Sequence, residues 1–265
     1  MITKIPTQLM GNKFGVISGF SNEFSIAAFV AQEIIKNGGE VILTYQNDQF
    51  TTRLKKFANE FLIPEQNLIE CDVSSEDSVR AFITKLKSFK RKIDFFVHSI
   101  AFSNRNELKG RYLDISYDNF VNTMNISCYS FAFLVREMEL MMNSSASILT
   151  ISYYGAQKVV PHYNVMAVAK AALETSVKYI AYDLGAKNIR VNAISAGPIK
   201  TISASVIKDF DKILDIYNAQ SPLKRNVKGS EIANSAIYLL SDLSSGVTGE
   251  IHYVDSGYNI IGIKQ

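Results

Sequence analysis

Residues 146–170 read Ala146-Ser-Ile-Leu-Thr-Ile-Ser-Tyr-Tyr-Gly-Ala-Gln-Lys-Val-Val-Pro-His-Tyr-Asn-Val-Met-Ala-Val-Ala-Lys170. The first six residues form a short β-branched and apolar run, the mark of a buried strand. Gly155 and Pro161 punctuate the loop that follows. From Tyr163 onward, Val165, Met166, Val168, Ala169, Ala172, Leu173 and Val177 recur at helical spacing. The stretch therefore reads as strand, loop and helix, with Tyr153 at the strand end and Tyr163 and Lys170 on the helix.

Seven residues separate Tyr163 from Lys170, nearly two helical turns, so the two side chains are expected on one face. An ammonium beside a phenol favours the phenolate, so Lys170 is expected to lower the pKa of Tyr163. A tyrosine so placed donates a hydrogen bond, or a proton, to a substrate oxygen that gains charge. The bland alternative is a packed tyrosine and a solvated lysine, and the rest of the chain decides between them.

On either side of this stretch, strands and helices alternate. Strands are expected at 13–18, 40–45, 67–71, 93–99, 189–194 and 251–255. Between them fall helices ending near Gly38, running from Asn47 or Asp48 to about 62, and from Ser74 or Ser75 to about 89. A long helix is expected over 117–142, after a polar stretch at 104–116. Further helices are expected over 163–185, around 207–217 and over 230–240. Such alternation predicts an α/β fold, a doubly wound, Rossmann-like parallel sheet of about seven strands in the order 3-2-1-4-5-6-7, with helices on both faces. No repeat or Pro/Gly/Ser-rich linker interrupts the 265 residues, and the five prolines are dispersed, so one domain is expected over 1–265.

Apolar residues make up 47% and charged residues 20%, enough to build a sizeable core. A net charge of +3 is too small to argue for nucleic acid. His98, His162 and His252 are scattered, without metal-ligand spacing. Two cysteines, Cys71 and Cys128, give no disulfide framework and suit a reducing compartment. The first residues lack a leader-like apolar segment, and no apolar run reaches membrane-spanning length.

In open α/β sheets ligands bind beyond the carboxyl ends of the strands, at the switch in strand order. Gly19, Ser25 and Ile26 follow the first strand, where helix-start amides suit a pyrophosphate. A Gly-x-Gly-x-x-Gly pattern is absent there. Gln46 follows the second strand, within reach of an adenine or ribose. Asp72 and Val73 close the third, where an Asp suits an adenine amine. Ser99, Ile100, Ala101 and Phe102 close the fourth, beside a ribose and nicotinamide. Gly197, Pro198, Ile199 and Thr201 close the sixth, near a carboxamide and pyrophosphate.

These pieces together resemble the short-chain dehydrogenase/reductase family, and within it the divergent branch of bacterial enoyl-[acyl-carrier-protein] reductases. That branch carries a glycine followed later by Ser-Ile-Ala, and Tyr-x6-Lys with a second tyrosine ten residues upstream. Here these are Gly19, Ser25-Ile-Ala27, Tyr163 with Lys170, and Tyr153. Cys71-Asp-Val73, His98-Ser-Ile-Ala-Phe102 and Arg190-Val-Asn-Ala-Ile-Ser-Ala-Gly-Pro-Ile199 extend the resemblance over nearly the whole chain. Ser18, in place of the usual threonine, and the bulky Phe20-Ser-Asn-Glu-Phe24 loop depart from it.

The resemblance implies NADH-dependent reduction of trans-2-enoyl thioesters on acyl carrier protein, the last reductive step of fatty acid elongation. It gives Tyr163 as donor to the thioester oxygen, Lys170 as holder of the nicotinamide ribose and Tyr153 as an aid in the substrate site. Ala101, Phe102, Met166, Ser203 and Ile207 are expected to touch substrate. It further implies a homotetramer in the bacterial cytoplasm and a substrate-binding loop at about 198–213, mobile until ligand binds. NADH is expected over NADPH, because no arginine or lysine follows the second strand before Arg53, and a 2′-phosphate calls for one. Two other readings stand beside this one. A β-ketoacyl or other carbonyl reductase normally spaces Tyr and Lys one turn apart, and a non-catalytic dinucleotide-binding protein has no need of both tyrosines and the lysine.

Overall fold

The computed structural model describes residues 8–201 and 209–263. Seven strands form one sheet in the order β3-β2-β1-β4-β5-β6-β7, every neighbouring pair parallel. They are β1 (Phe14–Ser18), β2 (Glu40–Tyr45), β3 (Leu68–Glu70), β4 (Ile93–His98), β5 (Met142–Ser152), β6 (Arg190–Ala196) and β7 (Ile251–Val254). The order matches the sequence expectation and puts the topological switch between β1 and β4.

Consecutive strand residues face opposite layers, as the pleat requires. Val16, Ile42, Phe96, Ile148 and Val191 face one core. Helices α3 (Glu76–Ser88), α5 (Ser130–Met138) and α6 (Val165–Gly185) close that side with Phe82, Phe131 and Leu173. Ile17, Leu43, Phe95, Leu149 and Ile194 face the other. There α1 (Ile26–Lys36), α2 (Thr51–Glu60) and α8 (Gly229–Leu240) supply Val30, Leu54 and Ile232. Each fully buried side chain of this size contributes about 1.5–3 kcal/mol relative to exposure. Buried Arg190 ties the two layers' edge together, donating to Leu239 O at 2.9 Å, Ser244 Oγ at 2.8 Å and Ser241 O at 3.0 Å.

Two expectations about helices need correction. The helix expected over 117–142 is not continuous. It runs as α4 (Tyr117–Met124), a π turn (Asn125–Tyr129) and α5, then tightens into a 3-10 turn (Glu139–Met141). Met142 already belongs to β5, where it sits in register with Ile93. Sheet pairing wins there over a helix-compatible run of Glu, Leu and Met. The second correction concerns Tyr163. Helix α6 begins only at Val165, and Tyr163 lies in the turn before it, between His162 at φ 65° and Asn164 at φ 42°. Residues with φ above zero cannot belong to a right-handed helix. The helix expected around 207–217 is α7, Phe210–Gln220.

Candidate active site

A cavity of 1050 Å³ opens over the carboxyl ends of β1, β4, β5 and β6. Gly19, Ser25 and Ile26 form its β1 side; Ser99, Ile100, Ala101 and Phe102 its β4 side. Gly197, Pro198, Ile199 and Thr201 close it beyond β6. Tyr153, Tyr163, Met166 and Lys170 face it from β5 and α6. The sequence expectation for these residues thus converges on one space. Ser203 and Ile207, with the rest of 202–208, lie outside the described residues. Gln46, Asp72 and Val73 are not part of the cavity wall. Gln46 Nε2 instead donates to Asp72 Oδ2 at 3.3 Å, joining the ends of β2 and β3. Burial favours the neutral acid at Asp72, but hydrogen bonds from Ser74 and Gln46 outweigh it and hold the carboxyl below its ordinary range.

The β1 end is shaped for close approach. Gly19 has φ +95°, and a Cβ there would lie 2.1 Å from Ser99 O. Only glycine fits. Ser25 caps α1, its Oγ accepting from Ala28 N–H at 3.3 Å and donating to Asn22 O at 2.7 Å. The amides of Ile26 and Ala27, ahead of that bond, are left as at any helix start, and they suit a phosphate oxygen.

At the β5 end the rings of Tyr153 and Tyr163 meet edge to face, centroids 5.0 Å apart and planes at 75°. Gly155 makes room for them, because a Cβ there would fall 2.6 Å from Tyr163 Cδ1. Tyr163 is 6% exposed. Burial drives its hydroxyl well above the ordinary tyrosine range, with Tyr153 and Glu174 adding to the effect. The lowering expected from Lys170 does not prevail, because burial dominates at Tyr163. The Lys170 ammonium donates to Ile151 O at 2.7 Å. Tyr163 is therefore a neutral hydrogen-bond donor at physiological pH, not a phenolate.

Lys170 is 5% exposed, and desolvation lowers its pKa to about 8, with Cys128 and Glu174 pulling the other way. An ammonium has three protons, and Ile151 O is its one acceptor among the described residues. Two N–H groups remain beside the cavity, a fit to a pair of ribose hydroxyls. One turn on, Glu174 accepts from Ser152 Oγ at 2.6 Å and fixes the strand end that carries Tyr153.

Sequence reasoning missed several wall residues. The polar stretch 104–116 folds over the cavity and buries Leu108. Asn164 Nδ2 holds it there, donating to Gly110 O at 3.0 Å and Leu108 O at 3.3 Å. Val160, Phe210 and Ile213 add apolar wall. The π turn sets Ser127 Oγ 2.9 Å from both the N–H and the carbonyl of Phe102, fixing the β4 exit. Asn119 also lines the space, and its buried Nδ2 has no protein partner among the described residues. A wide, mostly apolar space with a few convergent polar groups suits an extended acyl chain lying beside a dinucleotide.

A doubly wound sheet whose carboxyl edge carries a cavity from the switch point to a tyrosine pair and a buried lysine at β5 fits a dinucleotide-dependent reductase of the short-chain type. Residues 19–259 match the family model described as Enoyl-(Acyl carrier protein) reductase. The chain is 52% identical over 256 residues to the enoyl-[acyl-carrier-protein] reductase [NADH] of Rickettsia bellii, covering 97% of each. A crystal structure of the Anaplasma phagocytophilum enoyl-(acyl-carrier-protein) reductase in complex with NAD superposes with a TM-score of 0.93 at 48% identity, covering 97% of this chain and 98% of that one. The Bacillus cereus enoyl-acyl carrier protein reductase, solved with NADP+ and indole naphthyridinone, gives a TM-score of 0.94 at 41% identity, covering 97% and 100%. This chain belongs to the enoyl-[acyl-carrier-protein] reductase family.

Proposed function

We propose that this protein reduces the carbon–carbon double bond of trans-2-enoyl thioesters carried on acyl carrier protein, with NADH as reductant. The observation that carries the reading is the contact of Tyr153 and Tyr163 in one cavity with buried Lys170. NADH, when bound, supplies the hydride to the β-carbon. The rest is the work of side chains. Tyr163, kept neutral by burial, donates to the thioester oxygen and stabilises the negative charge it gains. Lys170, anchored on Ile151 O, turns its remaining protons to the ribose. Gly19 and the start of α1 receive the pyrophosphate, and Ala101, Phe102, Met166 and Leu108 give the acyl chain an apolar wall and exclude water.

One catalytic domain spans 1–265 in this reading. The free cysteines, Cys71 and Cys128, suit the reducing cytoplasm of a bacterium. A homotetramer is supported by exposed Tyr117, Val121 and Tyr129 on the α4–α5 arm and Tyr179 and Tyr182 on α6, large side chains that contacts between copies would cover. The test of function is the loss of nicotinamide absorbance with a trans-2-enoyl thioester on acyl carrier protein, run beside a β-ketoacyl thioester. Turnover of the second and not the first would return the carbonyl reductase reading.

A further inference from the structure

Tyr217, on α7, does not line the cavity, yet it touches the site from behind. It is 3% exposed, and its hydroxyl donates to Tyr153 Oη at 3.4 Å, longer than the usual hydroxyl pair and so a weak hydrogen bond. Its ring stacks on Tyr258, with centroids 3.7 Å apart and planes 17° apart. Tyr258 in turn meets Tyr154 edge to face at 5.8 Å and 89°. The turn carrying Tyr258 is held by Asp255, whose carboxylate accepts from the N–H groups of Gly257 and Asn259, each at 2.9 Å, and from Asn259 Nδ2 at 3.1 Å. Tyr217 is thus fixed by the C-terminal segment, and its hydroxyl is aimed at one atom of the site.

We propose that Tyr217 is a positioning residue acting through Tyr153: by donating to the Tyr153 oxygen it leaves the Tyr153 proton for the substrate oxygen, so that Tyr153 and Tyr163 act as a pair of donors. This rests on the enoyl reductase reading above. A phenol has one proton to give and lone pairs to accept with. Among the described residues, Tyr153 donates to no protein acceptor, so its proton is uncommitted. A hydroxyl that accepts one hydrogen bond is polarised and donates its own proton more strongly. The hydrogen bond from Tyr217 also works against burial, which raises the Tyr153 pKa to about 12. Charge that develops on a substrate oxygen would then be met by two neutral donors, one of them backed by a third hydroxyl that never reaches the substrate.

Tyr217→Phe tests this, because it keeps the ring stacked on Tyr258 and deletes only the hydroxyl. Turnover of a trans-2-enoyl thioester is measured for the wild type, Tyr217→Phe, Tyr153→Phe and the double variant. The expected result is a kcat about 3–10-fold lower in Tyr217→Phe, the effect of one modest hydrogen bond, with KM for NADH unchanged. The double variant is expected to be no slower than Tyr153→Phe alone. A wild-type kcat in Tyr217→Phe, or losses that multiply in the double variant, overturns the proposal. A second readout needs no turnover. In protein carrying 13Cζ-tyrosine, the signal missing from Tyr153→Phe identifies Tyr153, and it is expected to move in Tyr217→Phe while the Tyr163 signal stays. An unmoved Tyr153 signal overturns the hydrogen bond itself. Absence of enoyl reduction in the wild type would instead overturn the function proposed above and, with it, the two-donor role.

Discussion

The Lys170 ammonium and the Ile151 carbonyl are joined by a 2.7 Å hydrogen bond that crosses from α6 to the last residues of β5. It sets the lysine beside the two tyrosines without pairing it to either. The charge of Lys170 is consequently carried by a peptide dipole in a dry place, which is why burial dominates its ionisation.

That arrangement has a signature in stability. The Lys170 pKa is 10.5 unperturbed and about 8 in the folded protein. Between those values the unfolded chain binds the extra proton, so this residue makes stability rise with pH from about 8 to 10.5. Below pH 8 the folded state carries the full desolvation penalty, about 3 kcal/mol. Lys170→Met should therefore be more stable than the wild type at pH 7, and the difference should shrink as pH rises through that window. Paired denaturant titrations at pH 7, 8.5 and 10 measure it. A difference constant across the three would show that Lys170 is not desolvated as described.

Tyr163→Phe deletes the donor that faces the substrate oxygen, and loss of a comparable donor costs roughly 10²–10³ in turnover. Tyr153→Phe should cost less. Because Tyr163 is held neutral while Lys170 loses its proton near pH 8, an alkaline limb below pH 10 is expected from Lys170 and not from Tyr163, so Tyr153→Phe should keep its midpoint. Steady-state rates across pH 6–10 check both statements, and unchanged turnover in Tyr163→Phe would remove the residue from the mechanism.

Gly19→Ala puts a methyl group against Ser99 O in a backbone conformation that side chains rarely adopt. Strain of this kind is worth about 1–3 kcal/mol before any clash is counted. A fall in melting temperature and weaker NADH binding by fluorescence titration are expected. Full retention of both would show that the turn can relax.

NADH should outperform NADPH by about tenfold or more in kcat/KM, since the anionic Asp72 lies at the β2–β3 end, where a 2′-phosphate would need a cation. Asp72→Asn should narrow the gap. Equal efficiencies in the unaltered protein would overturn the preference.

The sheet was legible because most strands are short apolar runs bounded by turn residues, and the core layers follow from simple alternation, as in Phe95, Phe96 and Val97. The cavity wall was legible at the carboxyl ends of β1, β4, β5 and β6, but not at those of β2 and β3, where Gln46, Asp72 and Val73 stand outside it. What could not be read depends on contacts distant in sequence. Met142 looks helical until Ile93 is set beside it. Leu108 sits in a polar stretch and is buried only because Asn164 holds that stretch down. Tyr217 follows ordinary helical periodicity, and nothing local ties it to Tyr153, 64 residues earlier. The placement of Tyr163 had one local clue, Asn164, a residue type that tolerates positive φ.

The turn between His162 and Asn164 changes what the distance from Tyr163 to Lys170 means. Were both on one helix, their spacing would be quantised by helical pitch, and inserting or deleting a residue would swing the hydroxyl through about 100°. Because Tyr163 hangs on a turn, the interval is a connector length, and slack in it is taken up by the backbone angles of the residues beside it. A residue added or removed in the turn before Val165 is thus expected to leave the phenol and the ammonium in their places above the sheet, whereas one added within α6 would swing the lysine.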